Sequence, residues 1–221
     1  LEECLYFGEE VAIKAFSDLS IKYRKLTDEM AKSTKIYDQN FYIKKTEMTD
    51  ALFKPYIEIG LSASYNEIVD SCKYRHEFFK ALNDKFPDSK YQEKVEYVLM
   101  DEEASVNDWE QWIADLEQYI KRHPTGKYSL RAKLLLANNY SDLWNLIHPD
   151  HDWSFLVVEF PKDAKLANSY KQKALTTYNA ILNSPDKSLL QEQEINDIKR
   201  RISDLNINKA SGGIGILRGY D

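Results

Sequence analysis

Glycine and proline are scarce in this chain, and their scarcity narrows the fold class. The 221 residues include 7 Gly and 6 Pro. In an average protein about 7% of residues are Gly and about 5% are Pro, so both residues are well below their usual share. A β-sandwich or β-barrel turns roughly every 8–12 residues and uses many more of these turn formers. The composition therefore disfavours an all-β fold and excludes collagen-like and low-complexity chains. It favours long helices with few breaks.

Several features that particular functional classes require are also missing. No apolar run approaches the roughly 18 residues of a membrane-spanning helix, and no charged start followed by an apolar segment indicates a signal peptide. The net charge is −6 and the isoelectric point is about 5.4, which disfavours nucleic-acid binding because phosphates need a basic surface. The motif sets of kinases, serine hydrolases and dinucleotide-binding proteins are incomplete. We therefore expect no catalytic residues and no cofactor.

The two cysteines, Cys4 and Cys72, leave two interpretations open. They show neither a CxxC motif nor the Cys/His spacing of a zinc site. In an exported protein they can form one disulfide; otherwise they are buried free thiols. His76 lies four residues after Cys72 on a predicted helix, and we interpret the two as an ordinary helix-face pair rather than as a nucleophile and its base.

Most apolar residues recur at the spacing of amphipathic helices. In the first predicted helix, over residues 9–32, Phe16, Leu19 and Tyr23 fall on one face. Residues 35–49 are polar and ambiguous. About eight helices are expected in all, the others over residues 50–62, 65–85, 89–104, 109–122, 127–147, 163–183 and 188–205.

Two proline-containing corners align with each other and indicate an internal repeat. Residues 86–91 (FPDSKY) match residues 123–128 (HPTGKY), with a Tyr four positions after each Pro and apolar positions at equivalent places on both sides. Pro185 marks a weaker third corner. A helix–corner–helix unit cannot bury its apolar face alone, so neighbouring units stack. The alternative is a non-repeating bundle whose helices end at prolines.

The corner aromatic-Pro-Asp-Ser-x-Tyr, between two apolar helices, resembles the tetratricopeptide-like repeats of bacterial envelope proteins, such as the outer-membrane assembly lipoprotein and the periplasmic Tol-associated protein. The resemblance covers about residues 50–205 and is clearest over 78–144. It implies an all-α solenoid of antiparallel helix pairs that binds other proteins or peptides without catalysis. It also implies a periplasmic or outer-membrane location, with the cytoplasm as the alternative. The small residues that permit close helix packing are only partly present, as Gly60, Ala132 and Ala137.

These patterns divide the chain into three regions. We expect an N-terminal helical segment over 1–49, a repeat region over 50–205 with an inserted loop at 148–162, and a flexible C-terminal tail over 206–221. The inserted loop is rich in apolar residues and is interpreted as a lid over the groove or as a partner-binding surface. A peptide or helix would dock in an aromatic-lined concave groove. The expected partner-binding residues are Tyr91, Trp112, Tyr128, Tyr140, Trp144 and Trp153, although the same pattern also suits a buried core.

The alternative function is a metal-binding protein or an enzyme centred on the inserted loop. His148, His151 and Asp152 offer imidazole and carboxylate ligands close together, which suit Zn²⁺ or Mn²⁺. Their spacing matches no established metal motif, so the sequence favours a solvated loop. A purely structural subunit of a larger complex is a third hypothesis.

Overall fold

The computed structural model describes residues 1–33, 39–66, 71–103, 109–151 and 160–210. The chain divides into two compact units, Leu1–Val95 and Glu96–Tyr220, and each has its own apolar core. Within the described ranges the fold is all-α, with eight α-helices, as the composition and periodicity predicted. The helices are α1 (Glu2–Ser33), α2 (Gln39–Glu58), α3 (Glu77–Lys85), α4 (Gln92–Glu103), α5 (Trp109–Arg122), α6 (Lys127–Ile147), α7 (Ala164–Asn183) and α8 (Glu192–Asn206), with two short strands β1 (Ala63–Asn66) and β2 (Ser71–Tyr74). None of the helices in these ranges has the length and apolarity needed to cross a membrane.

The first unit is organised around α1, which is longer than predicted. Its buried face carries Ala12, Phe16, Leu19 and Tyr23, at the 3–4 residue spacing of one helical face. This face packs against α2, α3 and β2. Tyr23 stacks on Tyr65 with ring centroids 3.8 Å apart, so aromatic contacts fill much of this core.

The structure corrects the helix predicted over residues 65–85. Strands β1 and β2 form an antiparallel pair in which Ala63 lies opposite Tyr74, and only α3 is helical in that interval. Cys72 and Tyr74 are buried on alternate positions of β2, the period of two that a strand requires. Because Cys72 is in a strand, the predicted helical pairing with His76 is wrong. Both cysteines are free thiols, with Cys4 exposed and Cys72 buried.

A glycine ends α2 earlier than predicted. Gly60 has a φ of +86°, the left-handed region that glycine adopts without strain. Leu61 N donates to Tyr56 O at 3.0 Å and Gly60 N donates to Ile57 O at 2.9 Å, which is the Schellman pattern of a helix C-terminus. A Cβ added at Gly60 would meet no atom within 4 Å. Gly60 therefore allows the turn that ends α2, and the prediction that it lets two helices pack closely is wrong.

The second unit is built around α6. The bounds predicted for α5 and α6 are confirmed, and α7 begins one residue later than predicted. Every residue of α6 from Asn139 to Ile147 is buried, so this half of the helix is enclosed on all sides. Helix α7 makes its most extensive packing with α6, and the fully buried Ala132 and Ala137 keep the expected role of small packing residues.

Two of the proline corners end their preceding helices in the same way. The residue before each proline donates its backbone N–H to the carbonyl four residues earlier, Phe86 to Leu82 at 2.8 Å and His123 to Tyr119 at 2.9 Å. At the third corner, Pro185–Leu189 forms a 3₁₀ turn and Ser184 caps it. The helix predicted from residue 188 therefore begins later, at Glu192.

Candidate functional site

A row of aromatic side chains lies where α5, α6 and α7 meet in the second unit. Trp109 has its ring centroid 6.2 Å from that of Phe160 and 6.1 Å from that of Tyr170. Tyr170 in turn stacks on Tyr140 at 5.9 Å. Phe160, Trp109 and Tyr170 are half-buried and Tyr140 is buried. We call these four residues the aromatic row; it presents three partly exposed rings to the solvent.

A charged pair borders one end of the aromatic row. The Tyr140 hydroxyl donates a hydrogen bond to the Glu117 carboxylate, and Lys173 Nζ lies 3.5 Å from the same carboxylate oxygen. Lys173 also sits 5.0 Å from the ring centroid of Tyr140 and 5.8 Å from that of Tyr170, within the range of a cation–π contact. Apolar rings flanked by charges suit the recognition of a polypeptide better than of a purely apolar ligand.

The two tyrosines of the aromatic row, Tyr140 and Tyr170, carry neutral phenol groups. Burial raises the pKa of Tyr140, and its hydrogen bond to Glu117 raises it further. Burial also raises the pKa of Tyr170, with a smaller effect from the charges of Glu110 and Glu117. Both hydroxyls therefore remain protonated at neutral pH and can act as hydrogen-bond donors.

The residues predicted to bind a partner differ in their surroundings. Tyr140 belongs to the aromatic row and is itself buried, with 4% of its surface exposed. Trp112 and Trp144 are also buried in the core, at 8% and 1%. Tyr128 is half-buried beside Tyr97, and Tyr91 lies in the first unit, stacked on Tyr6 at 4.0 Å. Trp153 lies outside the described residues.

The histidines of the inserted loop close the C-terminal end of α6. His151 Nδ1 lies 3.2 Å from the carbonyl of Asn145, and Lys162 Nζ donates to the carbonyl of Leu146 at 3.1 Å. These contacts satisfy carbonyls that have no partner within the helix. Nowhere in the described ranges do three potential metal ligands come together, and Asp152 lies outside those ranges.

A buried carboxylate forms a second polar cluster, in the first unit. Glu9 has no exposed surface. It accepts hydrogen bonds from the hydroxyl of Tyr74 at 2.9 Å and from Phe79 N at 3.2 Å, and one of its oxygens lies 2.5 Å from His76 Nδ1. Phe79 N is one of the first amides of α3, whose N-cap residue His76 makes no side-chain cap. Glu9 therefore caps α3 from α1, where the helix dipole favours a negative charge.

Sequence reasoning missed both clusters for the same reason. Trp109, Phe160 and Tyr170 come from three separate segments, and Glu9 meets partners more than sixty residues away. The sequence shows a Trp at the start of one predicted helix and a Glu on the apolar face of another. Neither pattern indicates which distant residues would contact that side chain. In comparisons with known proteins, no family model, curated protein or solved structure matches this chain.

Proposed function

We propose that the chain is a non-catalytic helical protein that binds other proteins through the aromatic row of its second unit. The observation that supports this proposal is the set of three half-buried rings, Trp109, Phe160 and Tyr170, beside the Glu117–Lys173 pair. Trp and Tyr supply much of the binding free energy at protein interfaces, since a large ring buries much apolar area at low entropic cost.

Two substitutions that each remove an aromatic side chain test this function. The full chain is used to capture partners from its source cell, and the affinity of each partner is then measured with purified proteins. Trp109→Ala and Tyr170→Ala are each expected to weaken binding by tenfold or more, on the order of 1.4 kcal/mol. Tyr42→Ala is the matched control, because Tyr42 is an exposed ring of α2 in the other unit. Partners that bind the two variants as tightly as the wild type would contradict the proposal.

We further propose that the helices stack as a tetratricopeptide-like solenoid. The equivalent helix ends at Phe86 and His123 support this arrangement, as does the packing of α5 on α6 and of α7 on α8. An experimental structure tests it. In a solenoid, the helix pair at the Pro87 corner superposes on the pair at Pro124 by one constant rotation, and an unrelated rotation would exclude the repeat.

We propose a role in the assembly of the bacterial cell envelope, with the chain periplasmic or associated with the outer membrane. This proposal rests on the resemblance of the two proline corners to envelope repeat proteins. Fractionation of the source cell, followed by detection of the untagged protein, tests it. Recovery in the cytoplasmic fraction alone would contradict the location while leaving the binding function testable.

A further inference from the structure

The solvent face of α1 carries a heptad pattern that the core does not use. Its members are separated alternately by four and three residues, which places them on one face of the helix. They are Phe7, Val11, Lys14, Asp18, Ile21 and Lys25, and all six are exposed. The apolar members Phe7, Val11 and Ile21 expose 58%, 69% and 65% of their surface. Apolar side chains exposed together on one helix face are a feature of protein interaction sites.

We propose that this face pairs antiparallel with the same face of a second copy of the chain. In an antiparallel pair of helices, the a position of one heptad lies opposite the d position of the other. When the two-fold axis crosses the helix pair at the level of Phe16 along α1, Val11 lies opposite Ile21 of the second copy. Lys14 then lies opposite Asp18 of the second copy. Phe7 then lies opposite Lys25 of the second copy. The two-fold axis makes every contact occur twice.

Charge selects this orientation and this partner. Antiparallel pairing brings Lys14 against Asp18, an attractive contact, and sets the Lys25 ammonium against the Phe7 ring, a cation–π contact. Parallel pairing would instead bring Lys14, Asp18 and Lys25 each against its own copy, and like charges in contact oppose association. The face is thus complementary to itself in one orientation only.

A shallow depression also lies on the surface of α1. It is lined by Ile21 and by five charged side chains, Arg24, Lys25, Asp28, Glu29 and Lys32. In the antiparallel pairing, Phe7 of the second copy arrives at Lys25, on the border of this depression. The contact has six layers, of three kinds that each occur twice, and the expected dissociation constant is in the range of about 1–100 μM.

A charge exchange tests the proposal. Sedimentation equilibrium of the full chain over about 1 μM to 1 mM covers the expected affinity range. Lys14→Asp and Asp18→Lys each place like charges in the two central layers and are expected to weaken dimerisation about tenfold or more. The double variant restores opposite charges and is expected to recover the wild-type affinity. Both positions are exposed, so circular dichroism should show an unchanged fold in all three variants.

Disulfide trapping tests the register. In a Cys4→Ser background, Val11→Cys with Ile21→Cys is expected to form an intermolecular disulfide on mild oxidation, because the two positions face each other. Val11→Cys alone is the control, since its two copies lie about 15 Å apart along the helix axis at 1.5 Å per residue. A wild-type chain that stays monomeric, a double charge variant that does not recover, or equal crosslinking by the single cysteine would each overturn the proposal.

Discussion

Glu9 occupies a position where the periodicity of α1 places an apolar residue, and it is fully buried there. A buried carboxylate persists when its charge is offset and its oxygens are hydrogen-bonded. Here His76, Tyr74 and the amide of Phe79 supply those contacts. The residue joins α1, β2 and α3, three elements that are far apart in the sequence.

Removing the Glu9 carboxylate should destabilise the first unit. Glu9→Ala leaves a buried hydroxyl, an imidazole and a helix amide without their acceptor, and loss of one partner of such a cluster costs about 3 kcal/mol. The measurement is urea unfolding followed by far-ultraviolet circular dichroism. Glu3→Ala is the control, because its pair with Lys90 is well exposed and such pairs contribute little to stability. A cost for Glu9→Ala no larger than the control's would show that the cluster does not stabilise the fold.

His151 should make the second unit sensitive to acid. Burial lowers the pKa of His151, and the neighbouring His148 and Lys162 add to the effect, although the Asn145 carbonyl and Asp150 oppose it. As the pH falls below the usual histidine value of about 6.5, the unfolded chain takes up a proton at His151 before the folded chain does. The free energy of unfolding should therefore fall with acidification.

The pH dependence is measured by urea unfolding at several values between about pH 8 and pH 5, around the ordinary histidine pKa. His151→Gln keeps a hydrogen-bond donor but cannot titrate, so it should show a shallower fall than the wild type. Equal slopes for the two proteins would assign the acid sensitivity to other groups.

At the scale of elements, the bounds of α6 agree with those predicted from the sequence, but the sequence did not predict the polar residues buried in its second half. Its enclosed half includes Asp142, whose carboxylate has no exposed surface and lies 3.2 Å from the Arg201 guanidinium of α8. Tyr178 of α7 donates to Asn138 at 2.7 Å nearby, and burial raises the pKa of Tyr178. Polar contacts thus connect three helices at the centre of the second unit.

Removing one charge or both should separate the pairing of Asp142 with Arg201 from the cost of burying both groups. Asp142→Ala alone leaves a largely buried guanidinium without its carboxylate, and we expect a loss of about 3 kcal/mol. The double variant Asp142→Leu with Arg201→Met replaces both charges by apolar groups and should be less destabilised than Asp142→Ala. Urea unfolding measures each variant. The control Asp197→Ala breaks the half-exposed pair with Arg200 and should cost under about 1 kcal/mol.

The elements that the sequence predicted well are those bounded by local signals. Helices α5 and α6 meet at residues 123–126, where Pro124 excludes further helix, and their bounds are confirmed. The strand pair β1–β2 was missed because β2 is held by α1, where Ser20 Oγ accepts a hydrogen bond from Cys72 N. Tertiary contacts of this kind override local propensity. The aromatic row likewise depends on which helices pack together. Of its four residues, only Tyr140 was among the predicted partner-binding residues.

At the scale of the whole molecule, the tryptophans allow the two units to be followed separately. Trp109, Trp112, Trp144 and Trp153 all fall within the second unit, Glu96–Tyr220. Tryptophan fluorescence therefore reports on that unit alone, while far-ultraviolet circular dichroism reports on the helices of both. The two cores are separate clusters of buried residues, which permits separate cooperative transitions.

We expect the two signals to respond to different substitutions. Glu9→Ala should shift the circular-dichroism transition to lower urea and leave the tryptophan transition in place, because Glu9 lies in the core without tryptophan. Asp142→Ala should shift the tryptophan transition instead. If both substitutions moved both signals together, the chain would unfold as one cooperative body.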